Sequence, residues 1–443
     1  MFQSGYIIAG CSTLIRQAER VSSIQPRIIN DFLKKNSSGI MCCYGSSFDQ
    51  IKNYDKHFNK FCKDIEGHKT GGYINDLEYY IDSGGFQVLM GKLNNYQVDK
   101  LFNYYYKFLA ERSDLYTKGF MLDLPPNDSL YNSWDDLYKY NKRSFKIALD
   151  LPKEVIDKLV YVHHFVDNKT SETFSNLFDE FDVMNNFKNY SVGGIVKNEF
   201  GHSSVYKGYV PAIIFYLNKA IENNRKELTV HFLGAGACAF QTLLYYKFIE
   251  LHIKKIFGID FKITHDSAMY KKICLSKLFM YYDDSNINNI SFKSKKLHMK
   301  KDGDTIEDII KDTLTNFAKR NNMDIGHDMT IYNEDDKSNA VTLLYMFLHD
   351  IEFVAQVTRV CEVVAEELYP IYEIGDQESF INELSKAVRR FYNNKFKGKQ
   401  KEFCFELFSN LDYIKNVDLE YASHITNICS NKPDIYNEGV LTF

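Results

Sequence analysis

Three carboxylates stand where short apolar runs give way to turns. Asp82 lies in Tyr80-Ile-Asp82-Ser83-Gly84-Gly85-Phe86-Gln87, Asp123 in Gly119-Phe-Met-Leu-Asp123-Leu-Pro-Pro, and Asp266 in Phe261-Lys-Ile-Thr-His-Asp266-Ser267. A carboxylate so placed can attack as a nucleophile or pass a proton, provided that a ligand reaches it. The Ser-Gly-Gly turn after Asp82 lets a ligand come close to the backbone. Taken alone, each acid also reads as the N-cap or turn residue of whatever follows. The prolines after Asp123 stop regular structure there. If the three acids end strands of one barrel, they converge on its C-terminal face, where a carboxylate site is expected.

Two glycine turns join this set, Ser191-Val-Gly193-Gly194-Ile195 and Leu233-Gly234-Ala-Gly236. Glycines there allow backbone groups to approach a flat ligand, and they serve equally as plain strand-to-helix turns. Neither is a dinucleotide fingerprint, and no phosphate-cradling G-x-x-x-x-G-K-[ST] loop occurs. His163 and His164 are adjacent in an extended run, so at most one can face a barrel interior. The pair is therefore not expected to hold a metal. His265, beside Asp266, reads equally as a core residue.

The elements that must position these residues are legible as an alternation. Short β-rich runs at 6–9, 39–43, 78–82, 119–123, 159–166, 190–193, 229–233 and 262–266 alternate with amphipathic stretches such as 99–111, 135–149, 171–181, 206–223 and 238–257. That alternation implies parallel pairing, because a parallel connection needs a long crossover. Eight units suit an α/β fold of the (β/α)8 TIM-barrel type; a doubly wound open sheet gives a similar string. Beyond residue 305 the pattern turns helical, beginning with Ile306, Ile309, Ile310, Leu314 and Phe317 at helical spacing. The expected organisation is a barrel over residues 1–290 and a mostly helical, basic C-terminal domain over 291–443.

Composition bounds the partners. The 443 residues are 45% hydrophobic and 25% charged, which excludes wholesale disorder. Against 54 Lys and Arg stand 58 Asp and Glu, a net charge of −4, so the whole chain is not a strongly basic nucleic-acid binder. That average hides two spans without an acid. One holds Lys293, Lys295, Lys296, Lys300 and Lys301. The other holds Lys386, Arg389, Arg390, Lys395, Lys397, Lys399 and Lys401, interleaved with Phe391, Tyr392 and Phe396. Cations contact phosphates and aromatics stack on exposed bases, while a solvated charged face is the alternative for the first span. The nine cysteines include no C-x-x-C pair, so a reducing, cytoplasmic setting is expected rather than a disulfide framework. No run of 18 apolar residues exists, and no membrane partner is expected.

Asp82-Ser-Gly-Gly-Phe-Gln87 resembles the signature of the tRNA-guanine transglycosylases. Met121-Leu-Asp123, Val192-Gly-Gly-Ile195, Phe232-Leu-Gly-Ala-Gly236 and a last-strand acid follow in that family's order. The resemblance spans roughly residues 78–270. It implies a (β/α)8 barrel that exchanges guanine in a nucleic acid for a 7-deazaguanine. On this resemblance Asp266 would be the nucleophile and Asp82 the general acid and base. Asp123 would read the guanine edge beside Ser83, Gly84, Gly85 and Phe86. Gly193, Gly194 and Ile195 would contact the base through backbone groups, Leu233 would pack beneath it, and His163 or His164 would fall near a base-binding position.

The last-strand motif, Thr264-His-Asp266-Ser-Ala, departs from the family pattern and leaves Asp260 as a competing nucleophile. The family's zinc-binding cysteines are also missing, so the resemblance implies no metal and no cofactor. These departures resemble the DNA-acting branch found in phages and bacterial DNA-modification clusters. The resemblance thus implies a DNA-guanine transglycosylase, a pentosyltransferase using DNA and a free base such as preQ0, in the cytoplasm of its cell or of a phage host. A zinc-free tRNA enzyme and a non-catalytic nucleic-acid-binding subunit are the alternatives, and a homodimer is left open.

Overall fold

The computed structural model describes residues 5–21, 24–46, 48–89, 91–125, 133–165, 168–194, 209–234, 240–267, 278–282, 292–296, 306–323, 337–391 and 397–416. Eight strands pair in chain order, all parallel: β1 (Tyr6–Ala9), β2 (Gly39–Cys43), β3 (Tyr79–Asp82), β4 (Lys118–Phe120), β5 (Leu159–His164), β6 (Asn189–Gly193), β7 (Glu227–Phe232) and β8 (Asp260–Ser267). β1 also pairs with β8, Tyr6 opposite His265, Ile7 opposite Asp266 and Ile8 opposite Ser267. The sheet therefore closes, which decides between barrel and open sheet.

Residues of the strands alternate between two apolar environments. Ile7, Met41, Tyr80, Phe120, Val160 and Val162 fill the barrel interior, with Ala9 and Leu233 packed on them. Their neighbours along each strand, such as Ile8, Cys42, Ile81 and Tyr161, face the surrounding helices. Both faces of a parallel strand are covered, and β5 accordingly reads Leu-Val-Tyr-Val-His-His with all six residues buried.

The helices start where local chemistry permits. Helix Asn95–Glu111 opens on a reciprocal capping box between Asn94 and Gln97, and helix Trp134–Leu149 on Ser133. Helix Phe240–Phe257 buries residues around nearly its whole circumference, because it is covered twice. The barrel lies on one side. The other side meets the long helix Lys337–Glu373 and the pair Gln377–Phe391 and Lys397–Asn416. Phe380 packs on Phe248, Tyr372 on His252, and Asn410 donates to the Tyr245 hydroxyl at 3.2 Å. The C-terminal helices thus share one apolar core with the barrel's outer layer.

Two features differ from the sequence reading. β4 ends at Phe120, so Asp123 lies three residues past its strand rather than at its tip. Leu278–Tyr282 and Phe292–Lys296 form an antiparallel pair, Tyr282 opposite Phe292, so a division at residue 290 separates two paired strands.

Candidate active site

The three acids sit at the same end of the barrel, and each is held differently. Asp82 is the last residue of β3, in register with Cys43 of β2. Its Oδ1 accepts from the Gly84 N–H at 3.4 Å. Gly84 has φ +99°, and a Cβ there would lie 2.6 Å from the Gly45 Cα, so two backbone turns touch where only glycines fit. Burial pushes the Asp82 carboxyl up to about 6, against a pull from the Cys43 thiol, and the negative charges of Asp123 and Asp266 add to the rise. Its affinity for a proton is thereby brought toward neutrality, which is what general acid–base work requires.

Asp123 is buried although it lies beyond its strand. The Met121 N–H still donates to the Val160 carbonyl at 2.9 Å, continuing the sheet past β4. Asn141 then clasps Leu124 through both its backbone groups at 3.0 Å, and the Ser144 hydroxyl donates to the Leu122 carbonyl at 2.5 Å. Helix Trp134–Leu149 thereby fixes the segment that carries Asp123. The Ser83 hydroxyl donates to its Oδ1 at 3.1 Å, and His164 Nε2 lies 2.7 Å from its Oδ2. A Cβ on Gly85 would meet both carboxylate oxygens at 2.7 Å.

Asp266 lies one residue from the end of β8 and is buried. Its Oδ1 accepts from the Gly234 N–H at 2.6 Å and lies 3.2 Å from His231 Nε2. The other ring nitrogen, Nδ1, is 3.0 Å from the Thr264 hydroxyl. With that hydroxyl donating to Nδ1, Nε2 carries the proton toward the carboxylate. Both bonds fall on one oxygen, and Oδ2 has no bonded partner among the described residues. Asp260, the competing acid, begins β8 at the opposite end, 41% exposed and paired with Lys262 at 3.1 Å and Lys254 at 3.7 Å. It lines a 590 Å³ cavity with Glu78 and Lys118, remote from Asp82 and Asp123. That end of a barrel carries stability rather than chemistry.

The two histidines of β5 separate as pleating requires. His164 points inward to Asp123, and a Cβ on Gly193, opposite it in β6, would lie 2.7 Å from its ring. His163 corrects its expected place beside a base. It faces outward, stacked on Phe165 at 4.0 Å between centroids and flanked by Phe174 and Phe215. Burial pushes its proton affinity well down, and neighbouring His164 adds to that. It is a core residue. His265 likewise faces outward, against Tyr6 and Tyr246.

Of the remaining expected residues, Gly194 and Gly234 take positive φ at the ends of β6 and β7. Leu233 packs on the interior layer. Phe86 belongs to the short helix Gly85–Leu89, while its side chain, Ile195 and Lys395 lie outside the described residues. So do the side chains of Lys293, Lys295, Lys296, Arg390, Lys397 and Lys399.

Arg389 and Lys401 are exposed. Phe380 meets Phe408, and Ser385 bonds Cys404, so their helices run antiparallel and bring the two cations to one end. Phe380, near the other end of the pair, packs on Phe248 of helix Phe240–Phe257. His231 was missed in the sequence. The available signal is its place in β7 two residues before Leu233, which follows the strand and shares its inward side. Compared with protein-family models, with curated proteins and with solved structures, the chain has no match.

Proposed function

We propose that the protein is a DNA-guanine transglycosylase, exchanging guanine in DNA for a free 7-deazaguanine base such as preQ0. The observation that carries this reading is the meeting of Asp82, Asp123 and Asp266 at one end of a closed parallel barrel, in the order and motif context of the transglycosylases. In this mechanism Asp266 Oδ2 attacks the anomeric carbon. The new C–O bond forms as the bond to guanine N9 breaks, through an oxocarbenium-like transition state. Asp82, pushed up to about 6, donates the proton that the departing guanine needs. It then takes the N9 proton of the incoming base, which attacks the same carbon and releases Asp266. One carboxyl thus serves both half-reactions, and the sugar keeps its configuration.

The other residues hold and select. His231 and the Gly234 N–H fix one oxygen of Asp266, so the other is aimed at the sugar. Ser83 and His164 fix Asp123, whose remaining lone pairs accept from a guanine edge. Reaching an anomeric carbon within a duplex requires a flipped nucleotide or an opened strand. Exposed Arg389 and Lys401, brought together at one end of their helix pair, supply phosphate contacts for such a strand.

The test is incubation of the purified protein with radiolabelled guanine or preQ0 and either duplex DNA or tRNA. Label entering DNA is the expected result. Label entering tRNA alone replaces the substrate in this reading, and label in neither favours a non-catalytic barrel.

A further inference from the structure

A second polar cluster lies away from the acids, in the layer between barrel and helices. Cys11 opens helix Cys11–Arg20 after β1, Cys42 faces outward from β2, His68 comes from the last turn of helix Tyr54–Thr70, and Tyr79 begins β3. The Cys11 and Cys42 sulfurs are 3.0 Å apart. The Tyr79 hydroxyl is 2.9 Å from Cys42 Sγ and 3.1 Å from His68 Nδ1. The Ser12 hydroxyl is 2.9 Å from Cys42 Sγ. Cys11, Cys42 and His68 are 0%, 2% and 5% exposed, with their ligating atoms all within 4.8 Å of one another. Among the described residues no other trio of His, Cys, Asp or Glu side chains is drawn together in this way.

We propose that Cys11, Cys42 and His68 bind a zinc ion, with the Tyr79 hydroxyl or a water completing the shell. The donor set is sulfur and nitrogen, as zinc prefers, and comes from three separate elements. Binding releases the two thiol protons to solvent. Two thiolates and a neutral imidazole then cancel the charge of Zn²⁺, so the site adds no net charge to an apolar core. Sulfurs held at about 2.3 Å around a tetrahedral ion stand roughly 3.8 Å apart. The thiols therefore part by under about 1 Å, within reach of side-chain rotation. A disulfide would instead need them to close to about 2.05 Å and would leave His68 without a part. The ion would tie helix Cys11–Arg20, β2 and helix Tyr54–Thr70 together. Because positions 11, 42 and 68 lie on different elements, no spacing motif announces the site.

The test is metal analysis of the full chain, purified anaerobically without chelators and without added metal. About one zinc per chain is expected, falling at least tenfold in Cys42→Ser and in His68→Ala and unchanged in Cys404→Ser. Zinc content unmoved by both variants, or wild-type chain without zinc, overturns the proposal, whether the thiols then titrate free or as a Cys11–Cys42 disulfide. Should the variants fail to fold, wild-type protein stripped by chelator and titrated with Co²⁺ decides. Thiolate-to-cobalt absorption saturating near one equivalent is expected, and its absence overturns the site. Neither readout depends on transglycosylase activity.

Discussion

At the scale of single residues, the three acids differ in their surroundings rather than in their type. Asp82 has its proton affinity raised from an ordinary 3.8 to about 6, first by burial. The sign of the resulting pH dependence follows directly. The folded chain holds this proton more tightly than the unfolded chain, so stability falls as pH rises through about 4 to 6, and the cost is complete above that window. Asp82→Asn removes the ionisation. It is expected to stabilise the protein by on the order of 1–3 kcal/mol at neutral pH and by almost nothing near pH 4, read from thermal or denaturant unfolding. An equal gain at both pH values contradicts the assignment of the raised proton affinity to Asp82. The three acids were legible in the sequence because each follows an apolar run. Their partners were less so. His231 and His164 become meaningful only once the pairing of β7 with β8 and of β4 with β5 sets Asp266 and Asp123 beside them.

At the scale of elements, the site depends on glycines where strands approach each other. Gly193 sits opposite His164, where any side chain would press on the imidazole from 2.7 Å. Gly193→Ala is expected to displace His164 from Asp123. The loss of one hydrogen bond to a charged group, about 1.5–3 kcal/mol, appears as a roughly 10–100-fold rise in KM for the incoming base. An unchanged KM with correctly folded protein argues against Asp123 as the base-reading acid. Strand positions were readable from their apolar runs and from glycine and proline punctuation. The end of β4 was not, because Met121 and Leu122 continue the apolar run past the last ladder residue, and only Asn141 and Ser144 of a later helix show how that segment is held. His163 illustrates the same limit. Pleating separated the two histidines, but which one faced inward needed the register of β5 against β6.

At the scale of the whole molecule, the change from barrel to helices after residue 305 does not divide the core. Phe248 and His252 of the barrel's outer layer are covered by Phe380 and Tyr372, and Tyr369 bonds His252 at 2.8 Å. We expect a single cooperative unfolding transition by calorimetry, and a fragment of residues 1–290 that fails to fold because this apolar face is uncovered. Two separate transitions would show independent domains. The charge average of −4 also dissolves at this scale, since Arg389 and Lys401 stand together at one end of their helix pair. Replacing both by Glu is expected to weaken DNA binding and to lower the slope of log affinity against log salt by about one per residue or more. A slope unchanged from wild type removes these two cations from the proposed interface.

The measurement that bears most directly on the central claim is the capture of a covalent intermediate. Asp266 is the last-strand acid that shares the barrel end of Asp82 and Asp123, and Asp260 lies at the other end. DNA incubated with the protein in the absence of an incoming base, then denatured and analysed by peptide mass spectrometry, is expected to carry a nucleotide ester on Asp266. Asp266→Ala should abolish both adduct and exchange, and Asp260→Ala should retain both. An adduct on Asp260, or undiminished exchange by Asp266→Ala, would contradict the account.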